Sequence, residues 1–131
     1  MKPEEFRKFI EAYNKHGKKS KKARGQNGKD IEDQTDWVWF DRKTLQELID
    51  MTDAEKGGIK MYFGQYDKDT LSMIPEGRAK REEYIGRISL VLAPCNKTET
   101  DFEDVSLMKS SSDDDSNLKN GGYLCPPGCN P

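Results

Sequence analysis

Apolar positions fall at helical spacing near the start of the chain. Phe6, Phe9, Ile10 and Tyr13 stand at i, i+3, i+4 and i+7 and form one stripe. Pro3 suits a first helical turn, Glu4 and Glu5 suit the positive end of the helix dipole, and Gly17 offers a left-handed stop. A helix over about residues 3–16 is predicted. The run that follows, "GKKSKKARGQNGKDIEDQTD", has almost nothing to bury, so 17–36 is predicted as a flexible charged loop.

The period then changes. "WVWFD" offers four apolar residues of high β-propensity, which predicts a short strand at 37–40. Asp41 stands where an N-cap belongs, with Phe40 and Leu45 at hydrophobic-staple positions. Leu45, Leu48, Ile49 and Thr52 continue a helical face, which predicts a second helix over 42–55 that stops at Gly57-Gly58. "GIKMYFGQY" alternates, with Ile59, Met61 and Phe63 on one side and Lys60, Tyr62 and Tyr66 on the other. "YIGRISLVLAP" is the second strong strand, with Ile88, Leu90 and Leu92 on one face and Arg87 and Ser89 on the other, ended by Pro94. The stretch 67–83 between them is too long for a tight hairpin turn, and leaves open a short strand at 71–74 or a helical turn at 77–83.

Burying all these stripes at once predicts an α+β fold: a small three- to four-stranded mixed sheet with one or two helices packed on one face and long flexible loops. If 37–40 and 59–66 are neighbours, a right-handed crossover through the second helix makes them parallel. The domain is expected to span 1–95. Residues 96–131 are expected to form an acidic, Ser-rich tail, disordered around "KSSSDDDSN" and ending in a Cys-Pro-Pro strap.

Composition sharpens this picture at three points. With 33% hydrophobic and 35% charged residues in 131, one small core is the most the chain can build. A formal charge of -2 implies no general affinity for nucleic acid. Residues 1–29 nevertheless carry 10 Lys or Arg against 3 Glu, while 30–56 carry 3 against 9 acids, so the two segments can screen one another. Nucleic acid or another polyanion would enter only through Lys18, Lys19, Lys21, Lys22 and Arg24, a run without an interleaved aromatic to stack on a base. Acids stand near the start where a signal peptide needs an apolar run, and no stretch reaches the length of a membrane span, so the chain reads as cytoplasmic.

Candidate chemistry is sparse. Glycine-rich phosphate loops, a nucleophile elbow and a second histidine are all missing from the sequence. His16 belongs to the last turn of the first helix, where a cation is electrostatically welcome. No cofactor is expected; the alternative is zinc on Cys95, Cys125 and Cys129, with His16 available to complete a tetrahedral set. Three residues separate Cys125 from Cys129, two of them prolines without an N–H, unlike the two-residue spacing of zinc knuckles and redox thiols. A reducing cytosol would also disfavour a structural disulfide. On the bland alternative, "YLCPP" is a polyproline-like strap that docks Tyr123, Leu124 and Cys125 on the domain. Trp37, Trp39, Tyr62 and Tyr66 would cluster as partner-binding anchors if the second face of the sheet is uncovered, and become core if the first helix or the strap covers them.

"WVWFDRKTLQELIDM", "GGIKMYFGQY", "ISLVLAPC" and "YLCPPGC", in that order, resemble a group of small uncharacterised proteins from Bacteroidota bacteria. The resemblance covers roughly 37–95 plus 121–129. It implies that the Cys-Pro-Pro ending recurs in such chains, and it carries no activity, cofactor or catalytic residue. The expected function is therefore a non-enzymatic protein–protein interaction or regulatory module. A zinc- or thiol-dependent protein is the alternative, and an enzyme acting on a small metabolite through carboxylates and Tyr62 or Tyr66 the third.

Overall fold

The structure is a computed structural model that describes residues 1–20, 25, 28, 30, 31, 33–105 and 118–130. The class is α+β, as expected. The strands, however, divide between two antiparallel sheets. Helix α1 spans Pro3–Ala12, followed by a π-helical turn at Tyr13–Gly17 and a last α-turn at Lys18–Ser20. Gly17 does not stop the helix. The chain stays right-handed there, and the Tyr13 ring lies 3.0 Å from where a Cβ of residue 17 would stand. Beyond it, Lys18 Nζ holds Asp33 at 2.5 Å and Asp36 at 2.8 Å, while the Tyr13 hydroxyl donates to the Thr35 carbonyl at 2.6 Å. These bonds moor the helical segment to the residues before the first strand.

Strand β1, Trp37–Trp39, leads into helix α2, Arg42–Asp50. Asp41 caps α2 as its side chain predicts, accepting from the Thr44 N–H at 2.7 Å. The helix ends five residues earlier than 55 because Asp53 closes a turn of its own. Its carboxylate accepts from the N–H groups of Glu55 and Lys56, each at 2.9 Å. Strand β2, Gly57–Gln65, pairs with β3, Ile88–Lys97, in unbroken register from Gly57↔Asn96 to Gln65↔Ile88. Of the two choices left open, the short strand at 71–74 is instead a 3₁₀ turn at Leu71–Met73, and the helical turn at 77–83 is a 3₁₀ turn shifted to Arg81–Tyr84. Arg81 ties the two by donating to the carbonyls of Ile74 and Leu71, both at 3.0 Å.

Order also continues past Cys95, where a tail was expected. β3 runs on to Lys97, and β4, Phe102–Asp104, pairs with it. Lys119 bridges Leu92, and β5, Tyr123–Cys125, pairs with β1. The "KSSSDDDSN" run lies outside the described residues. The conditional parallel pairing of 37–40 with 59–66 does not arise, because β1 joins β5 in a separate ribbon and β2 is the edge of the order β2-β3-β4.

The main core is Tyr66, Ile74, Tyr84 and Leu124, with Val38 and Leu71 packed against it. Its centre is therefore the seam between the 67–84 excursion and the C-terminal strap. Two glycines let the strap approach. Gly121 has φ +85, and a Cβ on Gly122 would stand 2.7 Å from Val38 Cγ1 and 2.9 Å from the Phe40 ring.

Candidate functional site

Period-2 alternation sorts the β1–β5 ribbon into two faces. Val38 and Leu124 are paired and point into the core. Trp37, Trp39, Tyr123 and Cys125 take the opposite face, with Trp39 across from Tyr123 and Trp37 across from Cys125. Trp37 is 46% exposed and Trp39 is 52% exposed, although the strap runs beside them. The strap pairs edge to edge with β1 and leaves the face bearing the indoles uncovered.

The three rings form a ledge. Trp39 meets Tyr123 edge to face, with centroids 5.6 Å apart and planes at 69°. Tyr123 is held in turn by Arg78, whose guanidinium carbon lies 3.7 Å from the ring centroid. Arg78 also donates to the carbonyls of Gly121 at 2.7 Å and Gly122 at 3.2 Å, so its planar fork fixes both the strap and the ring that the strap carries. Trp37, Trp39, Tyr123 and Gly128 line a hollow of about 270 Å³, with no charged side chain among the described residues of its wall. Trp37 is shared with a second hollow, about 450 Å³, whose apolar wall is Phe6, Ile10 and Tyr13 of the N-terminal helical segment. Helix α1 buries none of its residues, and Phe6 stays exposed. The stripe that predicted α1 thus extends the ledge.

Gly128 reaches the hollow because residues 125–129 close into a loop. Cys125 and Cys129 are joined by a disulfide with Cα atoms 4.5 Å apart, and the Gly128 N–H donates to the Leu124 carbonyl. The expectation against a structural disulfide is corrected here: Pro-Pro-Gly brings the two sulfurs together. The Cys125–Pro126 and Pro126–Pro127 peptides are both cis. Cys95 lies apart, buried on β3, so the three cysteines do not share a site, and the paired sulfurs are not thiolates. Among the described residues no group of three His, Cys, Asp or Glu side chains is placed to hold a metal ion.

The four aromatics expected to cluster do not. Tyr66 is core, and its hydroxyl donates to Asn120 Oδ1 at 2.6 Å. Tyr62 stands on the other sheet, where its hydroxyl donates to Asp104 Oδ2 at 2.6 Å and Lys60 Nζ meets Asp104 Oδ1 at 2.8 Å. Burial alone would raise the Asp104 pKa, but the hydrogen bonds from Lys60 and Tyr62 outweigh it and hold the carboxyl below its usual range. Lys60 is raised in return, chiefly by that same bond. Cys95 lies beside this network, and burial pushes its thiol pKa up, the opposite of what activates a nucleophile. Lys60 and Cys95 help to line an open hollow of about 960 Å³.

Of the basic run, Lys18 is committed to Asp33 and Asp36, and Lys19 is exposed. Lys21, Lys22 and Arg24 lie outside the described residues. Tyr123 and Arg78 are the ledge residues that sequence reasoning missed. The alternation in "GGYLC" carried a trace of Tyr123's role, whereas nothing local marks Arg78. No helix among the described residues is long and apolar enough to cross a membrane. Comparison with protein families, curated proteins and solved structures finds no match.

Proposed function

We propose that the chain is a non-enzymatic protein-binding module whose ledge of Trp37, Trp39 and Tyr123 receives an extended, proline-bearing segment of a partner protein. The observation that carries this is the half-exposure of two indoles on a ribbon whose opposite face is core. Such rings cannot retreat into the interior without unpairing β1 from β5, so they stay presented. Aromatic residues dominate interface hot spots because they offer large rigid area at low entropic cost. A hollow walled by aromatic rings, with no charged side chain among the described residues that line it, suits pyrrolidine rings of a polyproline II segment, which arrives already extended and loses little entropy on docking.

Titration of the oxidised full chain with proline-rich peptides, followed by tryptophan fluorescence and calorimetry, tests the proposal. Saturable binding is expected. The double substitution Trp37→Ala/Trp39→Ala is expected to weaken it about 100-fold or more, the scale of two hot-spot residues. An unchanged affinity in that variant, or no binding by the wild type, rejects the ledge as the site.

The cytoplasmic setting expected from the sequence stands against the disulfide, since such bonds persist in oxidising compartments. Reduction separates the two settings. Opening a loop of this size is expected to lower stability by about 2 kcal/mol on the chain-entropy account. It also frees the Gly128 wall of the hollow, so weaker peptide binding should accompany the lower unfolding midpoint in reducing buffer. Equal stability and affinity with and without reductant would show that the loop closure serves neither.

A further inference from the structure

We infer that β2 is a self-association edge, at which a second copy of this chain pairs antiparallel about a two-fold axis through Met61. β2 is the end strand of its sheet, and among the described residues no strand pairs with its outer side. It is nine residues long, contains no proline and keeps its register with β3 without a break. Natural edges are usually shortened, bulged or charged to prevent pairing. This one instead presents Phe63 at 84% exposure and Met61 at 53%.

The hydrogen-bonding groups are aimed correctly for a partner. Lys97 N–H donates to Lys56 C=O and Tyr66 N–H to Arg87 C=O, each pair one step beyond an end of the β2–β3 register and in line with it. In an antiparallel ladder such pairs recur at every second residue, so the even-numbered residues of β2 turn their backbone groups toward β3. Those of Ile59, Met61 and Phe63 therefore point outward.

A two-fold axis at Met61, the middle of the strand, gives the longest overlap and is self-complementary. Met61 meets Met61 of the second copy, and Ile59 meets Phe63 in both directions, all as hydrogen-bonded pairs of outward-facing residues. Gly58 meets Gly64. Lys60, the single charged residue of the strand, meets Tyr62 rather than a second lysine, and its charge is already balanced by Asp104 in its own protomer. The apolar side chains of Ile59, Met61 and Phe63 from both copies then form one stripe on a six-stranded sheet. The choice of a second copy rests on this match of residue to residue and on the lack of like-charge opposition.

Sedimentation equilibrium of the full chain is the test. The wild type is expected to shift with rising concentration from 15.0 kDa toward twice that mass. Met61→Lys and Met61→Glu each place like charges across the axis and are expected to stay monomeric, while an equimolar mixture of the two recovers the dimer. Met61→Cys supplies a check that tolerates a folding defect in the charged variants. Residues in a hydrogen-bonded pair have Cα atoms about 5.5 Å apart, within disulfide reach, so this variant should cross-link on oxidation. Phe63→Cys should not, since its copies stand about 13 Å apart along the strand. A wild type that is monomeric at every concentration overturns the inference and leaves the edge to an extended segment of a different protein. Dimers that persist in Met61→Lys, a mixture that fails to recover, or equal cross-linking at 61 and 63 also overturn it.

Discussion

Replacing Leu124 by alanine is expected to destabilise the protein by about 3 kcal/mol, measured as a lower denaturation midpoint at unchanged slope. Leu124 is 0% exposed and sits among Tyr66, Ile74 and Tyr84. Truncation removes apolar area from the core and leaves a cavity between rings too rigid to collapse into it. The Tyr84 hydroxyl, which accepts from the Leu124 N–H at 3.3 Å, holds the wall in place. A loss of this size is a large fraction of the roughly 5–15 kcal/mol that holds an ordinary domain together. Leu118, exposed on the same C-terminal segment, serves as the control, and its truncation should change little. A Leu124→Ala protein within about 0.5 kcal/mol of the wild type would mean that the strap is not part of the core.

Gln34→Ala is expected to cost as much, chiefly through lost hydrogen bonds rather than lost apolar contact. Gln34 is 1% exposed, and its amide serves three partners. Nε2 donates to the Gly86 carbonyl at 3.2 Å, while Oε1 accepts from Ile88 N–H at 2.8 Å and Thr35 N–H at 3.0 Å. Alanine strands those groups without water to replace the lost bonds, at about 1–3 kcal/mol for each buried group left unpaired. About 3 kcal/mol in total is the expected loss, with faster hydrogen exchange at Ile88 as its local signature. Unchanged exchange there would show that the amide does not link this segment to β3.

The contrast between these two residues explains what the sequence made legible. Elements defined by neighbours in the chain were recoverable: the Asp41 cap, the stripe of α1 and the alternation of β2 all depend on spacings of a few residues. Leu124 and Gln34 depend on partners far along the chain: the strap reading of "YLCPP" docks Leu124 on the domain without naming its partners, and no local pattern announces Gln34. Gln34 lies in a polar run that looks like solvated loop, because its bonds go to backbone groups at 86 and 88. Alternation shows that a strand has two faces but not which is covered. Met61 and Phe63 were therefore expected inside, and Tyr66, just beyond the strand end, was grouped with the wet side. The candidate aromatic site was half legible for the same reason: Trp37 and Trp39 share a face by spacing alone, whereas Tyr123 joins them only through a pairing across more than eighty residues.

That pairing sets an order of events during synthesis. A ribosome releases β1 long before it reaches residues 123–125, so a nascent chain carries both tryptophans on a strand that still lacks its partner. Arg78 and the Tyr66–Ile74–Tyr84 cluster are likewise in place early, waiting for Leu124 and Tyr123. The ledge therefore forms only after Tyr123 has been made, and a product truncated before Tyr123 is expected to expose apolar surface without acquiring the shape that a partner would recognise.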